Sequence, residues 1–323
     1  MIGVNERAVE IVRRMIADAE GLGLAVTRLP NGTTVIDAGV RVPGSLEAGR
    51  LFAEVCLGGL GQVGFAELDF DDMWLPGVSV SVSHPAVACM ASQYAGWSLE
   101  AKTEKGKYFA MGSGPARALY AGEPIFERLV IRDEADVAVL ALEGHELPPE
   151  VAADKVAEKC GVSPDALYLL VAPTASVVGS VQIAARVVET GLHKMLEVCD
   201  GEDLDIATVV SGFGTCPLAP VADDDLRAIG RTNDAVLYAG RAWYTMKADD
   251  AQIEEMIDCL PSSASRDYGT SFYELYQRYN GDFYKIDPLL FSPAEVFINN
   301  LGSGRTFHAG RVNGRMLRKV LLE

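Results

Sequence analysis

Apolar positions along the chain change period several times, and each change marks an element. From Asn5 to Gly21, Ala8, Ile11, Val12, Met15, Ile16 and Ala19 recur at helical spacing, which predicts a helix with one buried face and Asn5 as its N-cap. Asn31-Gly32 predicts a turn into a β-branched strand over 33–37, and Ser45 opens a second helix that stops at Gly58-Gly59. Val78, Val80 and Val82 alternate as in a strand, and Pro85 then enters a helix running toward Gly96. Two apolar runs, 136–142 and 167–172, flank a helical stretch over 150–160, a β-α-β pattern. One long helix is expected over 176–199, bent or closely packed at Gly179 and Gly191. Strand pairs are expected over 235–246 and 295–311, turning at Ala239-Gly240 and Gly302-Ser303-Gly304, before a short last helix.

This alternation over 323 residues predicts an α+β (mixed α/β) protein of two α/β domains. Because chain ends often lie close together, the expected organisation is a discontinuous terminal domain, 1–97 plus 265–323, with 98–264 inserted as the second. Hydrophobic residues at 49% and charged ones at 23% leave no room for long disordered tails. A formal charge of −17 opposes nucleic acid and anionic membranes as partners. The amino terminus lacks a signal-peptide stretch and no run is long enough to span a bilayer, so a cytoplasmic location is expected. The six cysteines show no CxxC pairing and the four histidines are scattered, so neither a disulfide framework nor a metal site is expected.

Five segments carry candidate chemistry. In Phe109-Ala-Met-Gly-Ser-Gly-Pro-Ala-Arg117, Gly112 and Gly114 let a ligand approach backbone N–H groups, with Ser113 and Arg117 placed for an anion or carbonyl; a plain Gly-Pro turn explains it equally well. It matches neither GxxxxGK[ST] nor GxGxxG, which counts against a nucleotide-dependent oxidoreductase. Thr174 and Ser176 follow an apolar strand, where a ligand often meets a helix N-terminus, or they are helix caps. Arg186 and Glu189 lie three apart on one helix face amid Val181, Ile183, Ala184, Ala185, Val187 and Val188, and a buried carboxylate paired with a guanidinium suits proton transfer. Arg231, Asn233 and Asp234, after the aspartates 223–225, mix donors and acceptors suited to the amide edge of a heterocycle. Asp282-Phe-Tyr-Lys-Ile-Asp287 alternates charge and aromatics, as a strand with one packed face also would.

Taken together, these segments resemble the methenyltetrahydromethanopterin cyclohydrolases. NGTTVIDAG at Asn31, EVCLGGLG at Glu54, FAMGSGPARA at Phe109, YLLVAPTASVVGSVQIAARVVE at Tyr168, PVADDD at Pro220, GRTNDA at Gly230 and GDFYKID at Gly281 carry the likeness over nearly the whole chain. The stretches SQYAGW at Ser92 and FSPAE at Phe291 look more like bacterial members. The resemblance implies two α/β domains with a pterin substrate in the cleft between them, a homotrimer, and no metal or redox cofactor. It also implies that Arg186 and Glu189 serve the reversible hydrolysis of a 5,10-methenyl bridge to a 5-formyl group. A pterin-binding protein without activity would carry the same motifs.

Overall fold

The computed structural model describes residues 2–70, 73–104, 106–199, 205–281 and 285–323. Its strands are β1 (Ala25–Arg28), β2 (Thr34–Asp37), β3 (Gly61–Phe70), β4 (Met73–Ser83), β5 (Trp97–Thr103), β6 (Gly106–Ser113), β7 (Ala138–Glu143), β8 (Leu167–Ala172), β9 (Val209–Pro217), β10 (Arg241–Met246), β11 (Glu295–Asn300) and β12 (Thr306–Gly310). They form two mixed sheets, giving an α+β fold with two sheet-containing units. Contacts assign Met1–Gln62 and Val87–Gln182 to the first unit, and Val63–Ala86 and Ile183–Glu323 to the second.

The first sheet runs β1-β2-β8-β7-β6-β5. β2, β8 and β7 are mutually parallel and buried on both faces, which is why β7 and β8 read as unbroken apolar runs. Ile36, Val139, Ala141 and Leu170 pack with the helices Val4–Ala17 and Leu46–Cys56. Val35, Leu140, Leu142, Leu169 and Val171 pack with the helix Glu150–Cys160. That helix joins β7 to β8, as the β-α-β pattern predicts.

The second sheet runs β12-β11-β10-β9-β4-β3. Its strands alternate, with Val80, Val82, Ala242, Tyr244, Val296 and Ile298 buried between more exposed neighbours, the signature of a sheet with one packed face.

Several expectations change. The units are not a terminal and an inserted domain: the stretch 98–264 supplies β6, β7 and β8 to the first sheet and β9 and β10 to the second, because β8 pairs with β2 and β10 with β11. Asn5 is no cap. It lies inside the first helix, fully buried, donating to the Pro115 carbonyl (2.9 Å) and Asp133 (2.8 Å) while accepting from the Val139 N–H (3.0 Å). Asp133 is the group that accepts from the free Val4 and Asn5 N–H groups of that helix end. The segment after Pro85 forms a π-helix, Ala86–Gln93. Residues 235–239 end the helix Asp225–Ala239 instead of forming a strand, and only Arg241–Met246 is extended. The long helix is two, Val177–Ala184 and Val187–Val198, and the break falls at Ala185-Arg186, not at a glycine. β-Branched residues crowd both sides of the break and weaken helical continuity there.

Candidate active site

The parallel strands of the first unit place their carboxyl ends along one edge, where loops bear polar groups. Glu143 ends β7. Its carboxylate accepts from the Thr174 hydroxyl, in the loop after β8, and from the Gln182 amide at 3.2 Å. At the end of β2, the Asp37 carboxylate gathers the N–H groups of Gly39 (3.0 Å), Val40 (2.7 Å) and Arg41 (3.0 Å). Ser176 does what a capping residue does: its hydroxyl accepts from the Gly179 N–H (2.9 Å) and donates to the Pro173 carbonyl (2.7 Å).

Gly179 is indispensable to this loop, since a Cβ there would sit 2.1 Å from the Pro173 carbonyl oxygen and 2.7 Å from that of Thr174. Gly→Ala inside a helix ordinarily stabilises by roughly 0.5–1 kcal/mol. Here Gly179→Ala is expected to destabilise by about 1–3 kcal/mol, read as a lower melting temperature. A higher melting temperature would mean that the 173–176 loop yields at no cost.

The Gly112–Arg117 segment goes elsewhere. β6 runs antiparallel to β7, so Met111 stands opposite Glu143 but Ser113 opposite Ala141. Gly114, at φ +100°, lies against the Val139–Ala141 backbone, so the loop heads away from the Glu143 edge. Gly112 packs on Trp97, opposite it on β5, and Ser113 is buried with its Oγ 3.5 Å from the Cys56 sulfur. Arg117 is fully buried. Its guanidinium grips Glu123 through Nε (2.8 Å) and Nη2 (2.7 Å), while Nη1 donates to the Met90 (2.9 Å) and Ser92 (3.1 Å) carbonyls of the π-helix. These side chains thus hold the interior together.

In the second unit Arg186 is the N-cap residue of the helix Val187–Val198, and Glu189 lies in its first turn. Both are buried, with Nη1 of Arg186 3.8 Å from Oε2 of Glu189. A carboxylate in that first turn faces the positive end of the helix as well as the guanidinium. The turn is fixed from below. A Cβ on Gly212 would sit 2.5 Å from Val188 and one on Gly214 2.7 Å from Val187, so the β9 glycines let the helix start lie directly on the sheet. From β10, the Tyr244 hydroxyl donates to the Val188 carbonyl at 2.7 Å, and Gly191 makes room for that ring.

Arg231, Asn233 and Asp234 belong to the helix Asp225–Ala239, not to the approach of a strand. Asn233 donates back to the Ile229 carbonyl (2.8 Å), and Asp234 accepts from the Phe272 N–H (2.9 Å) at the start of the helix Phe272–Arg278. Burial, only partly offset by that N–H, pushes the Asp234 carboxyl up to about 7. The folded chain therefore holds a proton that the unfolded chain releases near pH 4, so stability from this group is intact below roughly pH 4 and is lost as pH rises toward 7. Asp234→Asn, which keeps an acceptor for Phe272, is expected to gain on the order of 1–2 kcal/mol over the parent at pH 8 and to lose that advantage as pH falls below 5. A melting difference that is flat in pH would contradict it.

Sequence reasoning passed over Glu143, Gln182 and Lys194. The signal for Glu143 was an acid ending an apolar run, AVLALE. Lys194 sits on the Glu189 helix, is buried, and donates to the Leu289 carbonyl; burial lowers its ammonium to about 8. Of the fifth segment, Asp282, Phe283 and Tyr284 lie outside the described residues, while Asp287 caps the short turn Pro288–Leu290. Among the described residues no group of three His, Cys, Asp or Glu is arranged to hold a metal ion, and no helix is long and apolar enough to cross a membrane.

A family profile described as Cyclohydrolase (MCH) matches residues 3–321. A protein named methenyltetrahydromethanopterin cyclohydrolase from Methanocaldococcus jannaschii is 48% identical, over 99% of this chain and 98% of its own length. One of the same name from Methanococcus maripaludis is 49% identical at the same coverage. Another, from Methanothermobacter marburgensis, is 48% identical over 99% of both chains.

Proposed function

The chain belongs to the methenyltetrahydromethanopterin cyclohydrolase family, and from that membership we infer that it is a hydrolase that opens the 5,10-methenyl bridge of methenyltetrahydromethanopterin to the 5-formyl compound, reversibly. The observation that carries the mechanism is the buried Arg186–Glu189 pair at the start of a helix held tightly on its sheet. The substrate brings its own electrophile, a carbon between two nitrogens in a delocalised cation, so the chemistry asks the protein for an oriented water and a proton acceptor, not for a metal or redox group. Glu189 takes a proton as water adds to the methenyl carbon, and Arg186 holds the carboxylate in place. The tetrahedral adduct then collapses: the bond to the departing ring nitrogen breaks, Glu189 returns its proton to that nitrogen, and the hydroxyl proton leaves as the formyl C=O forms.

Pterin recognition falls to the backbone and polar edge around Thr174 and Ser176, with the half-buried Arg231 and Asn233 as further polar contacts and Gly112, Ser113, Gly114 and Asp234 shaping the interior. Arg117, its donors turned inward, supports that interior. The protein works in the cytoplasm as a homotrimer, the assembly that the family resemblance implies.

Loss of the methenyl chromophore's ultraviolet absorbance tests the reading. Purified protein is expected to speed that loss with the methanopterin form and far less with the tetrahydrofolate analogue. Decay at the buffer rate with both would reject the activity, and equal rates would reject the substrate class.

A further inference from the structure

Glu143 ends β7 in the middle of the first sheet, between β8 and β6, and among the described residues no cation is paired with it. Its two oxygens are held separately: Oε1 accepts from the Thr174 hydroxyl and Oε2 from the Gln182 amide at 3.2 Å. Both donors are buried, Thr174 5% and Gln182 2% exposed, whereas Glu143 itself is half-buried. A carboxylate accepts at about four lone-pair positions. Each oxygen therefore keeps an acceptor direction after these bonds, and together the two can take a pair of adjacent donors.

Folding alone does not call for a charge here. Linking the Thr174 loop to the helix Val177–Ala184 needs only an amide, and a carboxylate met by neutral donors costs desolvation that an amide avoids. A ligand that brings its own donors offsets that cost. Anionic groups are repelled from the position, and among the described residues no set of three acids, histidines or cysteines would complete a metal site. What fits is a heterocycle edge with two neighbouring N–H donors, gripped bidentately as a guanidinium is. The β7 end, beside a parallel neighbour, is where such a sheet receives ligands.

We propose that Glu143 binds the N3–H and 2-amino edge of the pterin ring and sets which heterocycle this chain accepts. The proposal rests on the cyclohydrolase reading above and names the group that selects its substrate. Calorimetry with 5-formyltetrahydromethanopterin and steady-state turnover of the methenyl form, on the parent and Glu143→Gln, test it. Glu143→Gln can still bond Thr174 and Gln182, and is expected to raise Kd and KM by about 10–100-fold, the effect of losing hydrogen bonds to a charged acceptor. Its kcat should stay within a few-fold and its melting temperature should match the parent's. A folded Glu143→Gln with parental Kd and KM would overturn the assignment while the activity stands, and affinity lost in step with melting temperature would make Glu143 structural. A parent that binds the formyl compound without turning over the methenyl form would overturn the activity and leave Glu143 to be judged on Kd; one that does neither would overturn both. Should Glu143→Gln fail to fold, competition on the parent decides: pterin is expected to displace the formyl compound at least about tenfold better than lumazine, which carries oxygen in place of the 2-amino group. Equal displacement, nil included, would overturn the proposal.

Discussion

Glu189→Gln is expected to lower kcat by about 10²–10⁴-fold with KM within a few-fold of the parent. The amide keeps the shape and volume of the side chain in the first turn of its helix, and Val187 and Val188 still lie against the β9 glycines, so the turn stays in place. What disappears is the proton acceptor, which matters only as water adds. Arg186→Gln keeps the acceptor and removes the group that holds it, so its loss of kcat is expected to be smaller. A Glu189→Gln enzyme turning over near the parent rate would remove Glu189 from the chemistry. An equal fall in both variants with a lower melting temperature would reduce the pair to a structural role.

Arg117→Met is expected to cost about 3–5 kcal/mol of stability, the range found when one partner of a buried ion pair is removed. The loss has three parts: the Glu123 carboxylate is left nearly buried without its cation, and the Met90 and Ser92 carbonyls each lose a donor. Gly96 sharpens the effect, since a Cβ there would sit 1.8 Å from the Glu123 carboxylate, which is thus held in a space made for it. Denaturant titration checks the prediction. A variant of parental stability with a raised KM would instead restore the anion-binding role that the glycine-rich segment suggests from its sequence.

Which parts of the fold were legible follows from where each residue's packing comes from. β7 and β8 announced themselves because strands covered on both faces need apolar residues at every position, and the pairing of β11 with β12 was readable from its Gly-Ser-Gly turn. β9, VVSGFGTCP, was invisible as a strand: two of its inward positions, Gly212 and Gly214, are glycines, and the side chains that fill that space are Val187 and Val188 of a helix elsewhere in the chain. Residues 235–239 read as a strand because a helix end buried all round has no polar face to reveal its period. At the site, the spacing of Arg186 and Glu189 was enough to pair them, though not to show that a new helix begins there. The fate of Arg117 was hidden because its partners are carbonyls, which every residue carries.

The order of the segments along the chain has a consequence for synthesis. The first unit is complete once Gln182 has left the ribosome, but Val63–Ala86, made long before, belongs to the second. Its strand β4, with Val78, Val80 and Val82 turned to a core that does not yet exist, waits for β9 at Val209–Pro217. At about 5–20 residues per second that wait is roughly 6–25 s. During it the nascent chain presents β4 paired with β3 alone, one edge open and its apolar face uncovered, the interval in which a chaperone has most to shield.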